Sequence, residues 1–546
     1  MSRLSHAEAR RAFRWEDTLR VLGWTRDGPV DLGWTIVDRH VGRDRAALRW
    51  IGKSGVSRTQ SFAELARLSA QVAGWLQSHG VRDGDRVAGF LPRVPETIAI
   101  MLGTWKAGAV YVPIFTGFGA DAIAFRLRDS GAKVLCTHGD YRSRVPALGP
   151  GGPAFLTISG PGVRAAGDTD FSEAVEVQPG DVERAERRRD DSAVILYTSG
   201  STGPPKGVQI AANFLAAVHP WMLYGVDLRP DDVFWPTGDP GWGYGLICYM
   251  LALAMGVPVT CHEAAPLPEY ALQHLSEGGV TNLATTPTLL RGIMALPPEM
   301  LRRWPVRLRA ASSCGEPLNG EVVTFFQGHW GVTVMDHYGS SEFGLPIGNC
   351  NALEMEVRPG SMGLPLPGHT MAIVDDDGRE APVDTVGQIA LQPHPEGYYS
   401  LGYWGDAERT VAMHRGGWMT IGDLGRRDAD GYFWFEGRAD DVIKSAGYRI
   451  GPFEVESAIL HHAAVAEAAV VGILDPLRGQ IVKAFVVLRS GQTPSAALRD
   501  DIVELVKTRV GRHQYPREIE FVPALPKTET GKIQRFLLRS AAPITS

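Results

Sequence analysis

The chain has 546 residues, more than a single hydrophobic core organises, which predicts two or three domains. Apolar residues at 44% and charged residues at 21% exclude a disordered chain, and 63 glycines with 37 prolines stay below the low-complexity range. A net charge of −6 argues against a general nucleic-acid binder, and Cys136, Cys248, Cys261, Cys314 and Cys350, widely spaced, form no disulfide framework or zinc site.

The first 25 residues carry several arginines, but Glu8, Glu16 and Asp17 interrupt them, so a transit peptide is not expected. Helix and strand signals then alternate. Ser61 and Glu64 form a capping-box pattern before Leu65, Leu68, Val72, Trp75 and Leu76 at helical spacing, and Gly80 is the expected stop. Residues 87–91 read as a strand, 95–106 as a helix, 110–114 as a strand, 121–129 as a helix and 134–136 as a strand. This alternation predicts mostly parallel sheets covered by helices. Residues 149–189, rich in glycine, proline and charge, are expected to be a lower-order connection leading into a strand at 193–197.

Residues 241–260 carry no charge, which raises the question of a membrane span. Gly241, Gly243 and Gly245 crowd one end, while Gly256 and Pro258 break the other. The uninterrupted run is only about ten residues, so a buried core helix is expected and no membrane span. His461 and His462 are expected on a helix, with no metal-ligand cluster around them. Residues 441–546 have a net charge of +3 against −9 for residues 1–440, so the C-terminal part is relatively basic. Soluble, cytoplasmic α/β organisation is the expectation.

The strongest chemical signal runs from Tyr197 to Gly207. Thr198, Ser199, Gly200, Ser201, Thr202, Gly203 and Lys206 follow directly on a predicted strand. Glycines let backbone amides approach phosphate oxygens, hydroxyls add donors, and lysine adds a point charge. Lys206 is followed by Gly207 and not by a hydroxyl residue, so the pattern is not that of an ordinary phosphoryl-transfer P-loop.

This loop resembles the phosphate-binding signature of the adenylate-forming superfamily, which includes acyl-CoA synthetases, and other segments match in the family's order over about residues 50–535. Gly315, Glu316 and Pro317 resemble the segment that packs on adenine. Asp336, His337, Tyr338, Gly339, Ser340, Ser341 and Glu342 resemble the block ending in Thr-Glu, with serine in place of threonine. Ile421-Gly422-Asp423 resembles Ser/Thr-Gly-Asp without its hydroxyl residue. Arg438 to Asp441, Lys444 to Glu456 and Pro526 to Arg535, which includes Lys532, complete the set.

The resemblance implies an α/β fold with a large N-terminal region, residues 1–439, and a small mobile α+β lid, residues 440–546, hinged at Asp440. It implies an ATP-dependent acyl-CoA synthetase that joins a carboxylic acid to AMP and transfers it to CoA. Thr198, Lys206, Glu342 and Lys532 are the implied catalytic residues, with Lys532 stabilising the charge that builds as carboxylate meets phosphate. Glu342 is also the implied Mg²⁺ ligand, since hard cations prefer oxygen. The loop, the adenine segment, residues 336–341, Asp423 on the ribose and Arg438 would hold ATP. Ala446, Gly447, Tyr448 and Arg449 would line the CoA path. Trp242, Gly245 and Gly339 would wall the acyl pocket. Short-chain acetyl-CoA synthetases carry a bulky tryptophan where this chain has Gly339, and residues 448–454 look most like medium-chain enzymes. A medium-chain, branched or aryl acid is therefore expected. The alternatives are a short-chain synthetase, a free-standing enzyme that loads a carrier protein, and a non-catalytic nucleotide-binding descendant.

Overall fold

The computed structural model describes residues 3–43, 45–149, 151–158, 165–183, 185–198, 205–439, 441, 443–445, 448–475, 478–510, 514–527 and 533–541. Ser61 caps the helix Phe62–Ser78 by accepting from the Glu64 amide, while the Glu64 carboxylate accepts from the Ser61 amide. Pro95 opens the helix Pro95–Lys106, where its missing N–H leaves no bond unmade. Strands Arg86–Phe90, Val110–Pro113, Val134–His138 and Ser192–Thr198 pair in parallel, as the alternation predicts.

The stretch 149–189 departs from expectation. It holds the strand Ala154–Ile158, parallel to Val134–His138, and the helix Phe171–Glu176 capped by Asp170. Surrounding glycine, proline and charge conceal five residues that still bury Leu156 and Ile158. His461 and His462 differ as well: the helix Pro452–Leu460 stops before them, and His461 is its C-cap.

Two large mixed sheets dominate, one of nine strands and one of eight, each parallel in the middle and antiparallel toward an edge. The helix Gly243–Ala254 is buried at every position and shares one core cluster with Pro95–Lys106 and strands of both sheets. This accounts for the uncharged run: a helix with no solvent face has no place for charge. No helix among the described residues is long and apolar enough to cross a membrane.

A third sheet, wholly antiparallel, is built from Thr370–Val374, Gly387–Gln392, His414–Arg415, Trp418–Arg427 and Phe433–Arg438. The smaller C-terminal unit forms a fourth sheet entirely from strands after residue 442, with helices Pro452–Leu460, Ala496–Arg509 and Arg535–Ala541 around it. It docks on the larger part through the Nε2 of His461 and Glu321 at 2.6 Å and through Asn319, whose side-chain amide donates to Ser457 at 3.3 Å.

Candidate active site

Two tyrosine hydroxyls tie the three N-terminal sheets together. Tyr338 donates to Asp423 at 2.8 Å, joining the nine-stranded sheet to the antiparallel one. Tyr403 donates to Glu342 at 2.9 Å, joining the eight-stranded sheet to the turn that follows Val334–Ser340. Thr198 and Lys206 face each other as the last pair of an antiparallel ladder. Ser199, Gly200, Ser201, Thr202 and Gly203, which lie between them in the chain, fall outside the described residues.

Asp423 sits opposite Arg438 in the ladder, and Arg438 donates to its second oxygen at 2.7 Å. Both oxygens therefore already accept a bond, although a carboxylate has capacity for more. Glu342 lies in a turn fixed by Ser340, whose hydroxyl accepts from the amides of Glu342 and Phe343. Burial raises the Glu342 carboxyl above its ordinary value, and the Tyr403 hydrogen bond opposes that rise. Ser341 stands beside it, half-buried.

Gly315 follows the strand Ala310–Cys314 with φ +97°, a conformation glycine adopts freely. Glu316 turns away to accept from Arg291 at 2.6 Å and from Thr288. Gly315, Glu316 and Pro317 line a cleft of about 260 Å³ together with Arg438, Asp441, Phe453, Glu456 and, from the C-terminal end, Ile533 and Arg535. Lys532 itself, Asp440, Ala446 and Gly447 lie outside the described residues. Tyr448 and Arg449 belong to a short strand paired with Ile443–Ser445.

The block from Asp336 to Ser340 divides between the two faces of its strand. Asp336 is buried, one carboxylate oxygen has no partner, and burial raises its carboxyl well above the usual range. His337 has no nitrogen left for a ligand. Trp221 donates to its Nδ1 at 2.8 Å, and its Nε2, which therefore carries the proton, lies 2.9 Å from the Asn349 carbonyl. Burial lowers the imidazole to about 4, so it is neutral at pH 7. His337 belongs to the interior.

Gly339 and Gly245, expected at the acyl pocket, are closely packed on their Cβ sides. A Cβ on Gly339 would lie 2.2 Å from the Gly344 carbonyl oxygen, and one on Gly245 would lie 2.1 Å from that of Asp239. These glycines allow close backbone approach. Trp242 does reach the site: its indole lies against Gly315, with Tyr244 edge-on at 5.9 Å. Tyr403, Arg291 and Trp221 were not anticipated. Only the position of Tyr403 near a charged motif in the folded chain identifies it, because Gly402-Tyr403-Trp404 carries no chemical pattern of its own.

Residues 37–404 match the family described as AMP-binding enzyme, and residues 454–532 match the AMP-binding enzyme C-terminal domain. The chain belongs to the AMP-binding enzyme family. This AMP-binding enzyme is 35% identical over 548 residues to an acetyl-coenzyme A synthetase of Bacillus subtilis (strain 168), over 98% of this chain and 95% of that protein. Among solved structures it resembles a Brucella canis acyl-CoA synthetase, 40% identical with a TM-score of 0.79, over 98% and 99% of the two chains. The anthranilate CoA ligase AuaEII, solved with anthranoyl-AMP, superimposes with a TM-score of 0.86 at 29% identity, over 97% and 99%. The AMP-binding enzyme described here is an acid–thiol ligase of the acyl-CoA synthetase kind.

Proposed function

We propose that the chain activates a medium-chain, branched or aryl carboxylic acid with ATP and passes the acyl group to CoA. The observation that supports the activity is the cleft, which the candidate adenine segment, Arg438 and Ile533, the residue next to Lys532 in the chain, line together. In the first half-reaction a carboxylate oxygen bonds to the α-phosphorus of ATP, and the bond to the β-phosphate oxygen breaks to release pyrophosphate. Thr198, Lys206 and the hydroxyls and amides of residues 199–203 hold phosphate oxygens, and Lys532 stabilises the charge of the transition state. Asp423 and Arg438 hold the ribose end, and residues 315–317 with the strand from Asp336 hold the adenine end. In the second half-reaction the thiol sulfur of CoA bonds to the acyl carbonyl carbon, and AMP leaves.

The division of labour follows a boundary at Asp440, with residues 1–439 binding acid and nucleotide and residues 440–546 acting as the lid. CoA passes Ala446 and Gly447, with Tyr448 and Arg449 beside them. Glu342 suits Mg²⁺: it is an oxygen donor with a fixed backbone, and Tyr403 occupies one carboxylate oxygen. When bound, the ion neutralises phosphate charge.

The acid class rests on Gly339 standing where short-chain enzymes carry tryptophan, and on likeness to aryl-CoA ligases of known structure. A short-chain acid is the second reading. The Gly344 carbonyl closing the space beside Gly339 favours it, as does likeness to acetyl-coenzyme A synthetases. Acetate, hexanoate, isobutyrate and benzoate, compared by CoA- and ATP-dependent AMP release, decide between them. A higher kcat/KM for acetate than for the other three overturns the first reading. Transfer to a carrier protein but not to CoA overturns the choice of acceptor.

A further inference from the structure

Tyr403 touches two charged candidates at once. Its hydroxyl donates to Glu342, and the Lys206 ammonium lies 5.8 Å from the centre of its ring. Strand pairing brings this about: Ser400–Tyr403 lies antiparallel to Lys206–Ala211, with Tyr403 opposite Val208. The backbone around the tyrosine is held on both sides. Its amide donates to the Thr410 hydroxyl at 2.9 Å, and the next amide, of Trp404, donates to the Gly207 carbonyl at 2.7 Å. The ring is buried, and a phenol keeps its proton at neutral pH and so remains a donor.

A glutamate side chain has several rotatable bonds, and fixing them on cation binding costs entropy. At Glu342 that freedom is already reduced. Ser340 fixes the backbone turn, and Tyr403 fixes one carboxylate oxygen, so the other can meet a cation without a search. The Lys206 ammonium near the ring face lies within the range of a cation–π contact, which keeps the phosphate-holding lysine and the carboxylate in register.

We propose that Tyr403 is a positioning residue that orients the Glu342 carboxylate for a divalent cation and couples it to Lys206. This rests on the reading of Glu342 as the cation ligand. Its test is Mn²⁺ binding to the full chain with an unreactive α,β-methylene ATP analogue, followed by electron paramagnetic resonance in Tyr403→Phe and Glu342→Gln. AMP affinity, measured without metal, serves as the check on folding. Tyr403→Phe should weaken Mn²⁺ binding about tenfold, the usual scale for losing a partner that orients a ligand, while AMP affinity stays within twofold. Unchanged Mn²⁺ affinity in Tyr403→Phe, with a loss in Glu342→Gln, overturns the role of Tyr403 alone. Unchanged affinity in both variants overturns the assignment of Glu342 and the role of Tyr403 with it. Equal loss of AMP and Mn²⁺ binding in Tyr403→Phe makes the tyrosine a support of the fold and also overturns the proposal.

Discussion

The indole of Trp242 lies against Gly315, its Cη2 2.7 Å from the position a Cβ on residue 315 would take. The candidate acyl wall and the candidate adenine segment thus meet at one glycine. Gly315→Ala should suffer twice, from a side chain at φ +97° and from collision with the indole, at about 1–3 kcal/mol. A lower melting temperature and a raised KM for the acid are the expected outcomes. An unchanged KM would separate Trp242 from the acid.

Lys532→Ala should slow acyl-AMP formation a hundred- to thousandfold, about 3–4 kcal/mol, as expected when a preorganised charge is lost from a transition state. Thioester formation from supplied acyl-AMP should persist. Acid-dependent ATP–pyrophosphate exchange measures the first half-reaction, and CoA consumption measures the second. Equal damage to both rules out a role confined to adenylation.

Gly339→Trp is not a clean exchange of acid preference. Its first side-chain carbon would press on the Gly344 carbonyl and on Leu345 in the adjacent strand. The expected outcome is loss of stability before any change of substrate, and Gly339→Ala should already cost about 1–3 kcal/mol. Chemical denaturation reads this directly. A stable Gly339→Trp enzyme that gains acetate activity would support the open-pocket reading.

Burial, with Glu454 next in importance, pushes the Glu436 carboxyl up to about 7, and Arg426 opposes the rise from 3.1 Å. The folded protein therefore holds this proton more tightly than the unfolded chain does. The associated stability is fully present below pH 4.5, the ordinary value, and is lost as pH rises toward 7. Glu436→Gln should match the wild type near pH 4.5 and melt higher at pH 8. Melting curves across that range check the sign. A variant less stable than wild type at pH 8 would mean that the Arg426 pair outweighs burial.

Local physics made much of the fold readable. Ser61 with Glu64, Pro95, and the apolar run ending at Gly256 announce their elements because caps and burial act over a few residues. The strand Ala154–Ile158 is not legible in the sequence because its support comes from partners outside it, Val134–His138 and Thr169–Asp170, and its neighbours carry loop composition. The candidate site divides in the same way. Glu342, Asp423 and Arg438 stand in ordered motifs and do come together with Tyr338 and Tyr403. His337 shares a motif with them, yet strand geometry turns it inward to Trp221. Tyr403 has no motif, since its place beside Glu342 comes from strand pairing with residues nearly two hundred positions earlier.

Arg539 pairs with Asp441, and Arg535 clasps Glu456 with Nε and a terminal nitrogen while lying 3.9 Å from Asp441. Two stretches nearly a hundred residues apart are stapled to each other in this way. Ion pairs buried to this degree resist separation, because parting them strands charge away from water. The helix Arg535–Ala541 is thereby tied at two points to the start of the C-terminal unit, at Asp441 and at Glu456.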